Sequence, residues 1–234
     1  MTKTVAIVQS SYIPWKGYFD LINSVDEFIL FDDVQFTKRD WRSRNQIKTA
    51  QGPHWLTVPC ASKGKFEQLI CETRVSDPSW ARQHWKSIAH AYARAPHFAA
   101  YAPQLEAAYL QAGELELLSN VNRLLLQTLC GLLAIKTPLT DSRDYLGEGA
   151  KTDRLLSLCR AASATRYISG PSAKAYIEDG KFTAAGVELA YADYGGYPEY
   201  PQLFPPFEHA VSVIDLLFNA GPEAPRFMKS LART

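Results

Sequence analysis

Two runs near the start of the chain are apolar at every position: Val5-Ala6-Ile7-Val8 and Phe28-Ile29-Leu30-Phe31. Unbroken runs of this length predict strands buried in a sheet. Between them Pro14 and Gly17 break the chain, and Tyr18, Phe19, Leu21, Ile22 and Val25 follow with helical spacing. A short amphipathic helix therefore joins the two strands. Residues 54–59 predict a third strand. From Pro78 the period changes. Trp85, Ile88, Ala89 and Tyr92 mark a helix, 101–110 a second, and Leu118, Val121, Leu125, Leu129 and Leu132 a longer third. After Pro138 the mixed pattern returns. Leu155, Leu156, Leu158, Cys159 and Ala162 share a helix face, Arg166–Ser169 reads as a strand, and Gly170-Pro171-Ser172-Ala173-Lys174 opens the next helix with proline at its first position. Residues 187–191 give a further strand and 211–218 a further helix. The stretch 194–206, with two glycines and four prolines, is a loop long enough to carry function.

These elements predict an α/β fold with a mainly parallel, Rossmann-like sheet. Residues 1–78 and 138–234 form the α/β core, and 79–137 an inserted all-helical block. In such sheets ligands sit beyond the carboxyl ends of the strands, so the polar residues released there are the first candidates for chemistry.

Composition narrows the field. Lys plus Arg number 25 against 24 Asp plus Glu, a balance that argues against bulk nucleic-acid binding. Cys60, Cys71, Cys130 and Cys159 have no metal-ligand spacing and read as reduced, mostly buried thiols. The greasiest segment, 124–135, is interrupted by Gln127 and Thr128 and is too short to span a bilayer. No signal peptide is legible, so the expected location is the cytoplasm. The spacing indicates no metal site and identifies no cofactor.

The candidate chemistry clusters at strand ends. Asp32 and Asp33 close the second run, and adjacent side chains on a strand point to opposite faces, so one of them is expected to face a site as general base or metal ligand, the alternative being a turn or a helix cap. The segment 38–48 carries Lys38, Arg39, Arg42, Arg44 and Lys48 against one acid, Asp40. Guanidinium forks suit phosphates and carboxylates, and Arg44-Asn45 is the pair selected to hold such a group. Ser169, Gly170, Ser172 and Lys174 lie where a helix start would offer free N–H groups to an anion; an ordinary capped helix is the alternative. His84, near Trp80 and Trp85, is the histidine placed among the catalytic candidates, although a structural place in its helix is the commoner role. Gln9 and Tyr12 are placed to orient a substrate, with Lys16 beside them. Glycine-rich dinucleotide and G-x-S-x-G motifs are absent.

In combination, Gln9-x-x-Tyr12-x-Pro14-Trp15-x-Gly17-Tyr18-Phe19, Asp32-Asp33-Val34-Gln35-Phe36, Arg44-Asn45-x-Ile47-Lys48, Trp55-Leu56-Thr57-Val58-Pro59, Tyr167-Ile168-Ser169-Gly170, Tyr200-Pro201-Gln202 and Ser212-x-x-Asp215-Leu216-Leu217-Phe218-Asn219-x-Gly221 resemble the WbqC-like family over almost the whole chain. Ser10 departs from the pattern, in which proline often follows the glutamine. The resemblance implies a setting in O-antigen and other surface-polysaccharide biosynthesis. It also implies a small-molecule substrate, a nucleotide-linked amino sugar that receives an aminoacyl or acyl group such as glycine. Metal-assisted nucleotidyl or glycosyl transfer, and a non-catalytic nucleotide-sugar-binding protein, are the alternatives. A looser likeness, in architecture alone, places Trp15-Lys16-Gly17-Tyr18 where adenylyl-transferring nucleotidyltransferases carry H-x-G-H, without either histidine.

Overall fold

The computed structural model describes residues 2–231. Five strands form one parallel sheet: β1 (Thr4–Val8), β2 (Glu27–Leu30), β5 (Leu139–Asp141), β6 (Arg166–Ser169) and β7 (Glu188–Tyr191), in the spatial order β5-β2-β1-β6-β7. The segments before and after the helical block thus build the sheet together. The chain runs outward from β1 through β2 and β5, then crosses to the other flank for β6 and β7. The crevice at the carboxyl ends of β1 and β6 is therefore the switch point of the topology, where open α/β sheets take their ligands.

Strand periodicity sorts the core into two layers. Val5, Ile7 and Ile29 face α5 (Lys151–Ala161), α6 (Asp179–Ala184) and Tyr167. The intervening Ala6, Phe28 and Leu30 face α1 (Lys16–Asn23), α7 (Val213–Ala220) and the helical block. That block contains α2 (Trp80–Tyr92), α3 (Phe98–Gly113) and α4 (Leu118–Leu132), and its apolar stripes, Leu118, Val121, Leu125 and Leu129 among them, join the same core as the second sheet face. Both faces are covered, which is why the β1 and β2 runs are apolar throughout.

Three elements differ from the sequence reading. The basic segment 38–48 is not a loop to its end: β3 (Arg44–Thr49) pairs antiparallel with β4 (Gly52–Thr57), and this hairpin stands apart from the sheet. Its alternation is legible in burial, with Asn45, Ile47 and Leu56 inside, but the charges on β3 mask it. The turn, Ala50-Gln51 before Gly52 at φ +102°, lacks the Asn-Gly signature that announces a hairpin. The helix expected at 170–174 is a single 3₁₀ turn, Pro171–Ala175, and α6 begins only at Asp179; Gly186 at φ +70° then ends it. Finally β5, three residues long, is too short to show a period.

Candidate active site

The loop from β1 to α1 is built under strain. Ile13 is fully buried with φ at +36°, a region that β-branched residues avoid at a cost of about 1–3 kcal/mol. Asn45 on β3 holds it there, its Nδ2 donating to the carbonyls of Tyr12 (3.2 Å) and Ile13 (3.1 Å) while its Oδ1 accepts from the Gln46 N–H at 2.7 Å. Val213 N–H donates to the Pro14 carbonyl at 2.9 Å, and Ser212 N–H to the Gln46 carbonyl at 2.8 Å. Residues 192–212, which contain no helix or strand, are thereby drawn across the end of the sheet. Gly17 completes the turn, since a Cβ there would overlap the Trp15 indole.

These loops enclose a cavity of about 400 Å³ beside the switch point. Val8 and Ser11 come from the end of β1, Pro14, Trp15 and Tyr18 from the strained loop and α1, Trp41, Arg42 and Asn45 from the hairpin's approach, Ser172 from the turn after β6, and Tyr194, His209 and Ala210 from the long loop. Four aromatic rings and one guanidinium line it, and no carboxylate does. Arg42 is fixed: it donates through Nη1 to Gln9 Oε1, its Nε lies 3.3 Å from Asp40 Oδ1 without hydrogen-bond alignment, and its carbonyl accepts from Asn122 Nδ2 at 2.9 Å. An anchored cation among aromatic walls, paired with Asp40 from outside the cavity lining, suits a ligand that carries both rings and negative charge.

The residues selected from sequence divide around this cavity. Asn45 and Ser172 line it, and Gln9 reaches it through Arg42. The carboxyl ends of β1, β2 and β6 do meet at one edge of the sheet, as the parallel pairing requires, yet most side chains there turn inward. Asp32 is buried and accepts from the Ser10 N–H at 2.8 Å; burial pushes its carboxyl above the usual range, and the Ser10 hydrogen bonds only partly offset this. Asp33 points to the other face, ion-paired with Arg154 at 2.5 Å and accepting from the Ser142 hydroxyl. Ser169 Oγ accepts from the Tyr167 hydroxyl at 3.1 Å. Gly170 leads into the 3₁₀ turn. Lys174 lies over the Tyr191 ring. Arg44 stacks on Trp55, its guanidinium carbon 4.1 Å from the ring centroid, and makes no ion pair with either aspartate among the described residues.

The Tyr12 side chain runs from the loop after β1 into the helical block, where it meets His84 of α2. The Tyr12 hydroxyl meets His84 Nδ1 at 2.7 Å and the Tyr109 hydroxyl at 2.8 Å, among the rings of Trp80 and Tyr109. Burial lowers the His84 pKa to about 4. Lys16 is also buried, its Nζ donating to the Pro198 carbonyl at 3.0 Å and facing the rings of Tyr197, Tyr200 and Phe207 at 5.1, 4.9 and 5.9 Å. Burial lowers its pKa to about 8, against the pull of Asp20 and Asp215.

Sequence reasoning passed over Arg42 and His209. Arg42 sits in the basic segment beside the chosen Arg44; strand alternation along β3 sends Arg44 outward, whereas Arg42 precedes the strand. His209 has no partner at ligand spacing and reaches the cavity only because its loop folds back. The thiols of Cys71, Cys130 and Cys159 are buried and that of Cys60 partly so, and all four are free. Among the described residues no cluster of three or more His, Cys, Asp or Glu side chains is arranged to hold a metal ion, and no helix is long and apolar enough to cross a membrane.

The fold and the cavity define an α/β protein with an open cavity at the switch point of its parallel sheet. The chain belongs to the WbqC-like protein family, whose pattern it matches over residues 9–227. It is 50% identical over 227 residues to the uncharacterized protein Rv1507c of Mycobacterium tuberculosis (strain ATCC 25618 / H37Rv), a match covering 97% of this chain and 98% of the other. No solved structure matches the chain.

Proposed function

We propose that the protein is a transferase of surface-polysaccharide (O-antigen) biosynthesis that moves a small aminoacyl or acyl group, such as glycine, onto an amino sugar carried by a nucleotide. The observation that carries this reading is the lining of the switch-point cavity, where Arg42 and His209 stand among Trp15, Tyr18, Trp41 and Tyr194 and the carboxylate nearest Arg42, that of Asp40, is not part of the wall. Arg42 holds the phosphates. The sugar amine attacks the carbonyl of an activated acyl donor and sheds a proton to the His209 imidazole on the cavity wall. The amide forms as the bond from the carbonyl carbon to the donor's activating group breaks and that group leaves with the electron pair. Asp32, assigned this work from sequence, accepts from the Ser10 N–H and is not among the residues of the cavity wall, so this reading gives the base to His209. A nucleotide-linked substrate places the reaction in the cytoplasm.

Isothermal titration with UDP-linked amino sugars, followed by mass spectrometry of mixtures containing activated glycine or acyl donors, tests the proposal. The expected result is binding that Arg42→Ala abolishes and an N-acylated product that His209→Ala suppresses. Tight binding with no acyl product from any activated donor would reduce the protein to a nucleotide-sugar-binding module.

A further inference from the structure

Two tryptophans stand partly exposed at the rim of the cavity, in contact with each other and, at Trp55, with the Arg44 guanidinium. Trp41, 46% exposed, forms part of the cavity wall; Trp55, 38% exposed, lies beside it with ring centroids 5.5 Å apart and planes inclined by 36°. Trp55 is held in place. With the Gln46 amide oriented to satisfy both its ends, Trp55 Nε1 donates to Gln46 Oε1 at 3.0 Å and Gln46 Nε2 donates to the Ala210 carbonyl at 3.3 Å. Ala210 is itself on the cavity wall. The Arg44 guanidinium stacks on Trp55, and its Nε has no hydrogen-bond partner. Arg44, Trp55 and Trp41 thus form a continuous, preorganised shelf that runs from the surface into the cavity.

We infer that this shelf is a stacking subsite for the nucleobase of a nucleotide ligand whose phosphates reach Arg42. The inference deepens the functional reading above and rests on it. Three features favour a base. The volume of about 400 Å³ lies toward the lower end for ligand pockets, so the sugar and phosphates occupy the interior and the remaining ring falls on the rim. The indole N–H of Trp55 is already engaged by Gln46, so the shelf offers ring faces rather than donors. A base needs only a face to stack on, whereas sugar hydroxyls need partners. A guanidinium layered on an indole also extends the planar surface. Because every base has a π-face, the shelf tolerates UDP, dTDP and ADP alike.

The test titrates the full chain with UDP, inorganic pyrophosphate and glucosamine 1-phosphate, in the parent and in Trp55→Ala, Trp55→Phe and Arg42→Ala variants, with folding checked by circular dichroism. Trp55→Ala is expected to weaken UDP binding about tenfold, within the range for base–aromatic stacking, and to leave the two probes without a base unchanged. Trp55→Phe, which keeps a flat ring, restores most of the loss. UDP affinity unaltered in Trp55→Ala but lost in Arg42→Ala overturns the shelf and leaves the functional reading standing. Equal weakening of UDP and glucosamine 1-phosphate by Trp55→Ala gives the shelf to the sugar and also overturns the inference. A parent chain that binds none of the three probes overturns the shelf together with the reading beneath it.

Discussion

His84 makes the stability of this protein depend on pH in a predictable way. Its ring is buried against Trp80 and Tyr12, accepts from or donates to the Tyr12 hydroxyl through Nδ1, and is hydrogen-bonded to the Thr57 backbone. A neutral ring that donates to Thr57 accepts from Tyr12, which leaves no room for a second proton. Burial accordingly lowers its pKa from 6.5 to about 4. The unfolded chain binds a proton at this residue throughout the interval between those values, and the folded chain does not. Stability from this group is therefore complete above about pH 6.5 and is lost as pH falls toward 4. Integrating the proton-binding difference gives a loss of about 2 kcal/mol at pH 5 relative to neutral pH. The assay is urea unfolding of the parent and of His84→Gln between pH 5 and pH 7.5. His84→Gln should be less stable at neutral pH, because the aromatic cluster is disturbed, but its unfolding free energy should fall less steeply with acidification, by about 2 kcal/mol over that range. Parallel curves for the two proteins would show that His84 is not buried as a neutral ring, and would return it to the candidates for a solvent-facing acid or base.

Three further outcomes follow from the same structure. Arg154→Ala leaves the Asp33 carboxylate with only Ser142 at a half-buried position, and should cost about 2 kcal/mol, read as a melting temperature lower by roughly 4–8 °C; an unchanged melting point would mean that the ion pair is solvated. Arg44→Ala removes no carboxylate partner, so its melting temperature should stay within about 2–4 °C of the parent, a change of about 1 kcal/mol at most, and a larger fall would point to an ion pair with Asp32 or Asp33. Lys16 titrates near 8 when folded and 10.5 in an ordinary setting, so the unfolded state binds more protons between those values and stability rises with pH across that window; thermal scans of Lys16→Met should show a flatter profile there, and a profile identical to the parent's would contradict the burial of the ammonium.

Much of the framework was legible because it rests on local periodicity. The runs 5–8 and 28–31, which make up most of β1 and β2, are apolar at every position since helices cover both faces of the sheet, and α4 keeps a 3.6-residue stripe because one side of it meets that sheet. The hairpin β3–β4 was hidden for a physical reason: its outward residues carry the charges of a basic loop, and its turn uses Ala50-Gln51 in place of a residue that prefers positive φ. The site was legible as a place and less so as a set of side chains. A parallel sheet with a switch point fixes the edge at which ligands gather, whatever the sequence at that edge. Which of two neighbouring arginines reaches the cavity depends on where a strand begins, and whether His209 arrives at all depends on bonds from Val213 and Ser212 to residues far away in the chain. No window of sequence contains that information.

The residues that carry the family resemblance show what the pattern specifies. Asp215 is wholly buried and accepts from Tyr92 (2.9 Å), Tyr200 (2.7 Å) and Gln202 (2.9 Å); burial raises its pKa, and these three donors work against the shift. Tyr200 and Gln202 lie in the long loop, and Gln202 also donates to the Glu208 carbonyl at 2.9 Å and accepts from the Glu208 N–H at 2.8 Å. Lys48, also in the pattern, grips the Pro206 carbonyl, and Lys16, at a position the pattern leaves open, grips the Pro198 carbonyl. Asp215, Tyr200, Lys16 and Lys48 are polar, buried and satisfied, which is an expensive way to fill a core unless the geometry itself matters. An apolar core would hold the loop against the sheet equally well but would not fix the register along it. Hydrogen bonds at Pro198, Pro206 and Glu208 do fix it, and register is what carries Tyr194 and His209 to the cavity. Asn45 does the same for the loop after β1, holding two carbonyls against an unfavourable φ. The signature is thus largely an instruction for folding two loops over one sheet edge, and the groups exposed by that folding, Arg42, His209 and the paired tryptophans, are where the chemistry is to be sought.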